Sequence, residues 1–282
     1  MLSLKQVRKL LKVNQLHLSK KMGQNFLIDR NIRDKILQAA GVAAGDLVVE
    51  IGPGLGALTE GFLEKGARVW AVEKDRGLYR VLGERLPSSD LELICEDALK
   101  VDWEKLLPED HGSYKLVANL PYNITTPLLF HLLDYSHLFS HMVIMVQKEV
   151  GERFSASPES KQYGSLTLKL EYCAQVESLF LVAPGSFFPQ PDVSSLVLKI
   201  TPRTSPPVTV KDELLLFEII NLGFGQRRKT LANNLKRGGW VPDQIKAAFD
   251  FCGLEKRVRA EELDLHKFSC LANVFVRQKE GE

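Results

Sequence analysis

Leu47-Val48-Val49-Glu50-Ile51-Gly52-Pro53-Gly54-Leu55-Gly56-Ala57 decides the fold. The run LVVEI is apolar without alternation, as expected of a strand buried on both faces in a parallel sheet covered by helices. It leads directly into a GxGxG turn and a helical pattern. Glycines there let the backbone turn sharply and approach a ligand closely. The following helix N-terminus offers free N–H groups and a partial positive charge. Taken alone, the turn fits a ligand-free βα connection, a dinucleotide loop or a loop for S-adenosylmethionine.

Working outward, the same alternation of short apolar runs and amphipathic segments recurs. RVWAVE (68–73), LELIC (91–95), KLVAN (115–119) and MVIMV (142–146) read as strands. ALTEGFLEKG, DRGLYRVLGERL and TPLLFHLLDY read as helices between them, with Gly66 at a helix C-terminus. Repeating βα units predict an α/β fold with a doubly wound, mostly parallel sheet. Longer β-rich stretches at 166–182 and 193–200 are expected to finish it as antiparallel edge strands. Pro202, Pro206 and Pro207 then mark a stiff linker, beyond which the pattern is helical: ELLLFEIINLGF, QRRKTLANNLKRG, DQIKAAFDFCG and an acidic-apolar stretch ending at His266. The expected organisation is a sheet domain over 1–201, its first 22 residues a basic extension, and a smaller C-terminal all-helical domain over 202–282.

The 282 residues are 45% hydrophobic and 26% charged, which excludes a disordered or fibrous chain. Net charge is only +2, but its distribution is uneven. Residues 1–30 hold seven Lys/Arg against one acid, 31–200 hold sixteen against twenty-three, and 201–282 hold fourteen against eleven. No apolar stretch approaches the roughly 20 residues of a membrane span, and no secretory h-region is present, so a soluble cytoplasmic protein without a membrane partner is expected. Cys95, Cys173, Cys252 and Cys270 lack CxxC spacing and read as thiols in a reducing compartment. His17, His111, His131, His137, His141 and His266 form neither HxH nor HExxH, so no metal is expected.

Glu73 ends the second strand, 21 residues after Gly52, where a carboxylate can accept hydrogen bonds from two ribose hydroxyls. Asp97 follows the third strand, either to accept from an adenine amine or to cap the next turn. These features suit S-adenosylmethionine and NAD alike. Asn119-Leu120-Pro121-Tyr122, after the fourth strand, separates them. An exocyclic amine is a poor nucleophile because its lone pair is conjugated into the ring. The Asn119 side-chain oxygen and the Leu120 carbonyl can accept its two hydrogens and aim the lone pair at a methyl sulfonium. Pro121 fixes the turn, and Tyr122 can stack on a flipped base. The same tetrapeptide is also an ordinary strand-ending turn, but hydride transfer gives no reason for it.

With GQNFLID (23–29), EIGPGLG (50–56), NLPY and FFPQPDVSS (187–195) in that order, the chain from about 20 to 236 resembles the ribosomal RNA adenine N6-dimethyltransferases, most closely the KsgA-type small-subunit branch. That resemblance implies a class I, Rossmann-like fold dependent on S-adenosylmethionine. It implies that Gln24, Asn25 and Leu27 lie along the cofactor's methionine and ribose side, and that Gly52, Gly54 and Asn119 line the cofactor. It also implies that Glu73 takes the ribose hydroxyls and Asp97 the adenine amine. Asn119, Leu120, Pro121 and Tyr122 would receive the target adenine, with Phe187 on the other face of the base. From the residues alone, Asp29 can be a helix cap, Phe26 a core anchor and Phe187 a core residue. Asp192 stands where the family commonly has Lys or Arg.

Residues 222–240 carry Arg227, Arg228, Lys229, Lys236 and Arg237 and no acid, a pattern for RNA phosphates or for a solvated helix face. The basic N-terminal tail (Lys5, Arg8, Lys9, Lys12, Lys20, Lys21) is a second candidate surface. The resemblance implies methylation, twice each, of two adjacent adenosines in a loop near the 3′ end of small-subunit (16S) rRNA. Its implied partner is the immature small ribosomal subunit, met by a monomeric enzyme. Two alternatives remain: a large-subunit rRNA adenine methyltransferase of the macrolide-resistance type, and a non-catalytic RNA-binding assembly factor.

Overall fold

The computed structural model describes residues 1–16, 24–108 and 112–280, side chains excepted for the last two. His17, Lys20, Lys21, Gly23 and His111 lie outside the described residues. The chain forms two compact units, Met1–Gly151 with Val176–Pro202, and Glu152–Gln175 with Arg203–Glu282.

In the first unit, β2 (Leu47–Ile51), β3 (Arg68–Val72), β4 (Leu91–Ile94), β5 (Tyr114–Asn119), β6 (Phe139–Gln147), β7 (Ala174–Val182) and β9 (Ser195–Pro202) form one seven-stranded sheet. Its order is β4-β3-β2-β5-β6-β9-β7. The pairs β2–β3, β3–β4, β2–β5 and β5–β6 are parallel, and β9 runs antiparallel to β6. The sheet is the doubly wound one expected. Strands β2, β3 and β4 step outward in one direction, and the chain then returns to place β5 on the other side of β2. Ligands bind at such a reversal, beyond the carboxyl ends of the strands. A small second sheet pairs β1 (Phe26–Leu27) with β8 (Phe187–Phe188).

Local chemistry sets the ends of these elements. Asp29 caps α2 (Arg30–Ala39) through the Asn31 and Ile32 N–H groups, and Asp75 caps α4 (Arg76–Arg85) through those of Gly77 and Leu78. Helix α3 (Ala57–Glu64) starts at Gly56 (φ 77°) and is followed by Gly66 (φ 76°), both left-handed. Val48, Phe62, Val69, Val117, Val143 and Val197 are at most 1% exposed in one cluster across the sheet, each burial contributing about 1.5–3 kcal/mol. The basic N-terminal extension contains a helix, α1 (Leu4–Val13), with a Ser3/Gln6 capping box. Its Val7 and Leu11 join Phe26, Leu55, Leu78 and Val81 in a further buried cluster.

The second unit is built from α8 (Ser165–Cys173), α9 (Glu213–Phe224), α10 (Leu231–Arg237), α11 (Pro242–Cys252) and α12 (Leu265–Glu280) around Leu216, Ile219, Ile220, Leu231, Leu235, Phe268 and Phe275. Four expectations need correction here. The stretch 166–182 is a strand only from Ala174, because α8 precedes it. Leu166, Leu168, Leu170 and Tyr172 imitate strand alternation, yet Thr167 between them is buried and donates to the Arg153 carbonyl. Residues 152–175 accordingly cluster with the C-terminal helices, not with the sheet over 1–201. The segment 226–229 is a turn rather than helix, since Thr230 caps α10 through the Asn233 N–H. Cys252 and Cys270, expected as thiols, are joined in a disulfide across α11 and α12, Cα atoms 6.0 Å apart; Cys95 and Cys173 are not in disulfides. Among the described residues no helix is long and apolar enough to cross a membrane.

Candidate active site

The switch point is a cleft lined from four strand ends: the glycine loop after β2, Glu73 after β3, Asp97 after β4, and Asn119 to Tyr122 at and after β5. Gln24, Asn25 and Leu27 line it from the N-terminal side. The structure therefore brings together all the sequence-predicted cleft residues except Phe187.

The glycine loop and Glu73 form one hydrogen-bonded unit. Gly52, Gly54 and Gly56 all have positive φ (66°, 57° and 77°), so the chain turns through a conformation that other residues enter with strain. A Cβ on Gly54 would lie 3.1 Å from the Phe26 ring. Glu73 is 7% exposed; its Oε2 accepts from the Gly54 N–H at 3.1 Å and its Oε1 from the Asp75 N–H at 2.8 Å. Burial holds this carboxyl above the ordinary range, while those two backbone donors pull it back. Each oxygen retains a lone pair for a hydroxyl donor. Replacing Glu73 with alanine removes acceptor and loop anchor together. We expect an increase of about ten- to a hundredfold in the cofactor Kd, measured calorimetrically with S-adenosylhomocysteine.

Asp97 takes the capping role and lines the cleft. Its Oδ1 accepts from the Leu99 N–H at 3.2 Å, and its Oδ2 pairs with Lys74 Nζ at 2.7 Å, which holds the carboxyl below its ordinary range. Gln24 Nε2 donates to Asp75 Oδ2 at 3.3 Å, tying the N-terminal segment to the α4 cap.

At the other rim, Asn119 Nδ2 donates to the Asn25 carbonyl at 2.9 Å, which leaves its oxygen as the acceptor for a ligand. The Leu120 side chain is 1% exposed and its N–H donates to the Met145 carbonyl, so its contribution to the cleft is main-chain. The Pro121 carbonyl accepts from Thr125 Oγ1, fixing the turn against α6 (Thr125–Asp134). The Tyr122 hydroxyl is 2.8 Å from Ser195 Oγ, and partial burial raises its pKa. In Tyr122→Phe the Ser195 hydroxyl, on a residue with 0% exposure, loses this partner. A stability loss of about 1–3 kcal/mol in urea titration should accompany retained methylation, because the ring face remains.

Phe187 is a correction. It is 2% exposed, pairs with Leu27 across the β1–β8 ladder and packs with Val182 and Val197 rather than lining the cleft. Its neighbour Phe188 is the less buried of the two, beneath the Arg8 guanidinium at 5.2 Å.

Sequence reasoning gave no role to Glu50, Arg85 or Ser195. Glu50 is 2% exposed inside β2, accepts from Thr59 Oγ1 at 2.6 Å and lines the cleft. Burial, with the nearby Glu73 charge adding to it, pushes its pKa up to about 8. A folded pKa above the unfolded one gives stability that is full below about pH 4.5 and is lost as pH rises through about 8. The melting temperature should therefore fall between pH 5 and pH 9, and Glu50→Gln should remove part of that fall. Its signal was available: a carboxylate inside an otherwise apolar strand is seldom buried without a task.

In the helical unit, Arg227, Arg228, Lys229, Lys236 and Arg237 are all exposed, and Arg227 also donates to Glu261 and to the Ser160 and Lys161 carbonyls. The Arg227 bonds tie the 226–229 turn to Glu261 and to the backbone at 160–161.

A cleft at the switch point of a doubly wound sheet, lined by a glycine loop and by carboxylates after the next two strands, is the architecture of a Rossmann-like enzyme that takes a nucleoside-containing cofactor. Residues 15–276 match the family model described as ribosomal RNA adenine dimethylase. The small-subunit rRNA methyltransferase A of Moorella thermoacetica is 44% identical over 264 residues, covering 91% of this chain and 92% of that protein. The protein of the same name from Clostridium acetobutylicum is 41% identical over 260 residues (92% and 94%). A solved dimethyladenosine transferase from Plasmodium falciparum superposes with TM-score 0.72 at 28% identity, covering 91% of this chain and 98% of that one. The 23S rRNA methyltransferase ErmE (TM-score 0.68, 22% identity, 89% and 99%) shares the fold. The chain belongs to the ribosomal RNA adenine dimethylase family, and its cofactor is S-adenosylmethionine.

Proposed function

We propose that this protein transfers methyl groups from S-adenosylmethionine to N6 of two adjacent adenosines in a loop near the 3′ end of small-subunit rRNA, giving N6,N6-dimethyladenosine during small-subunit assembly. The observation that carries the reading is the Asn119 side chain, whose amide nitrogen is taken by the Asn25 carbonyl and whose oxygen is left to orient an amine. Relatives of at least 40% identity over nine-tenths of the chain, named for the small subunit, support the choice of substrate.

The residues divide the work. Glu73 and Asp97 accept from the nucleoside of the cofactor, Gln24, Asn25 and Leu27 flank it, and Gly52 and Gly54 let the backbone approach it. The cofactor supplies an electrophilic methyl group on a sulfonium. Asn119 and the Leu120 carbonyl hold the amine hydrogens of the adenine, Pro121 fixes their spacing and Tyr122 stacks on the base. The product amine is acidic while positively charged and loses its proton to water, so no strong base is needed. Arg228, Lys229, Lys236 and Arg237 contact phosphates, and the immature particle is met by a monomer.

Transfer of labelled methyl groups to small-subunit particles, immature and mature, tests the substrate. Incorporation into the immature particle that saturates near four methyl groups is the expected result. Incorporation into large-subunit RNA in its place would move the reading to the resistance-type activity.

A further inference from the structure

The sheet unit poses an electrostatic problem: it must accept a flipped base, yet its residues 31–151 and 176–200 carry thirteen basic against twenty acidic side chains. Helix α1 is a concentration of positive charge in it. Lys5, Arg8, Lys9 and Lys12 fall at i, i+3, i+4 and i+7, one stripe on the helix, and all four are exposed. Val7 and Leu11 lie on the opposite face and are buried. No acid occurs in α1, and among the described residues none of the four cations makes an ion pair. Like charges at these spacings destabilise a helix by themselves. A polyanion laid along the stripe reverses the sign of that interaction.

The placement of α1 is specific. Leu2 and Val7 line the same cleft as Asn119 to Tyr122. The Arg8 guanidinium stands 5.2 Å over the Phe188 ring, in the β8 segment next to the cleft-lining β1. A membrane surface is a poor occupant, since the apolar face of the helix is already buried.

We infer that the outer face of α1 is a phosphate-binding surface for the RNA strand that flanks the target adenine, an inference resting on the rRNA reading above. It supplies the sheet unit with its own grip on RNA. Each contact to a single strand adds about 0.7 to the salt slope.

The test is equilibrium binding of the full chain to a labelled 3′ fragment of small-subunit rRNA across a salt series. The variants are Lys5→Gln/Arg8→Gln/Lys9→Gln/Lys12→Gln and a control, Lys35→Gln/Lys65→Gln, on exposed sites elsewhere in the same unit. The quadruple variant should bind at least tenfold more weakly at low salt, with a slope shallower by roughly 3. Its melting temperature and S-adenosylhomocysteine affinity should match the parent, and the control should leave the slope within about one contact. If the quadruple variant does not fold, Lys9→Gln/Lys12→Gln should give about half the change in slope. Unchanged slope and affinity, or equal losses per charge in the control, would overturn the inference. Dimethyladenosine formed by the parent on whole particles is scored separately. Its absence alongside stripe-dependent binding would count against the functional reading, not against α1.

Discussion

Asn119→Ala should lower kcat for adenine methylation by at least about a hundredfold while the S-adenosylhomocysteine Kd changes by less than tenfold. The magnitude is that of removing one preorganised polar group from a reacting centre. The asymmetry follows from the geometry. The residues proposed to hold the cofactor nucleoside are Glu73, which accepts from the Gly54 and Asp75 N–H groups, and the glycine loop, and neither bonds the Asn119 amide. Asn119 instead bridges β5 to the N-terminal segment through the Asn25 carbonyl at 2.9 Å, which fixes the orientation of the oxygen proposed to receive the amine. Single-turnover kinetics with the labelled cofactor, beside calorimetry, separates the two effects. Equal loss in both would mean that Asn119 supports the pocket and not the reaction.

Gly56→Ala should lower the thermal midpoint of the sheet unit by roughly 5–15 °C, from a loss of about 2–5 kcal/mol. Two costs add. Gly56 has φ 77°, a left-handed conformation that alanine enters with strain, and an added Cβ would lie 2.4 Å from Leu82 Cδ1 and 2.8 Å from Arg85 Nη2. Both groups are side-chain ends, but neither is free to give way. Leu82 is fully buried, and Arg85 donates to the Gly56 carbonyl at 3.0 Å and to Glu60 at 2.6 Å. Differential scanning calorimetry checks the outcome. By contrast Gly83→Ala, inside α4, meets only Leu93 at 3.7 Å and should be neutral or slightly stabilising.

The sheet was legible because each parallel strand is an apolar run bounded by its own punctuation, and because Glu73, Asp97 and NLPY each stand at a strand end. Doubly wound topology then carries such positions to one crevice without knowledge of any side-chain contact. Three kinds of feature were not legible. The helix α8 hides behind the alternation of Leu166, Leu168, Leu170 and Tyr172, and its partners lie beyond residue 203, so only tertiary packing decides its period. Phe187 and Phe188 are adjacent aromatics in a two-residue strand, and one step of register sends the first to the core. The Tyr122–Ser195 bond and the commitment of Arg227 to Glu261 join residues 73 and 34 positions apart, and no spacing rule anticipates them.

Nucleoside mass spectrometry is the most direct measurement of the central claim. Small-subunit particles lacking the modification would be incubated with the protein and S-adenosylmethionine, with large-subunit RNA in parallel and Asn119→Ala as control. The account predicts N6,N6-dimethyladenosine in the small-subunit sample alone, absent with the variant. Dimethyladenosine confined to the large-subunit RNA, or none in either sample while cofactor binding is intact, would contradict it.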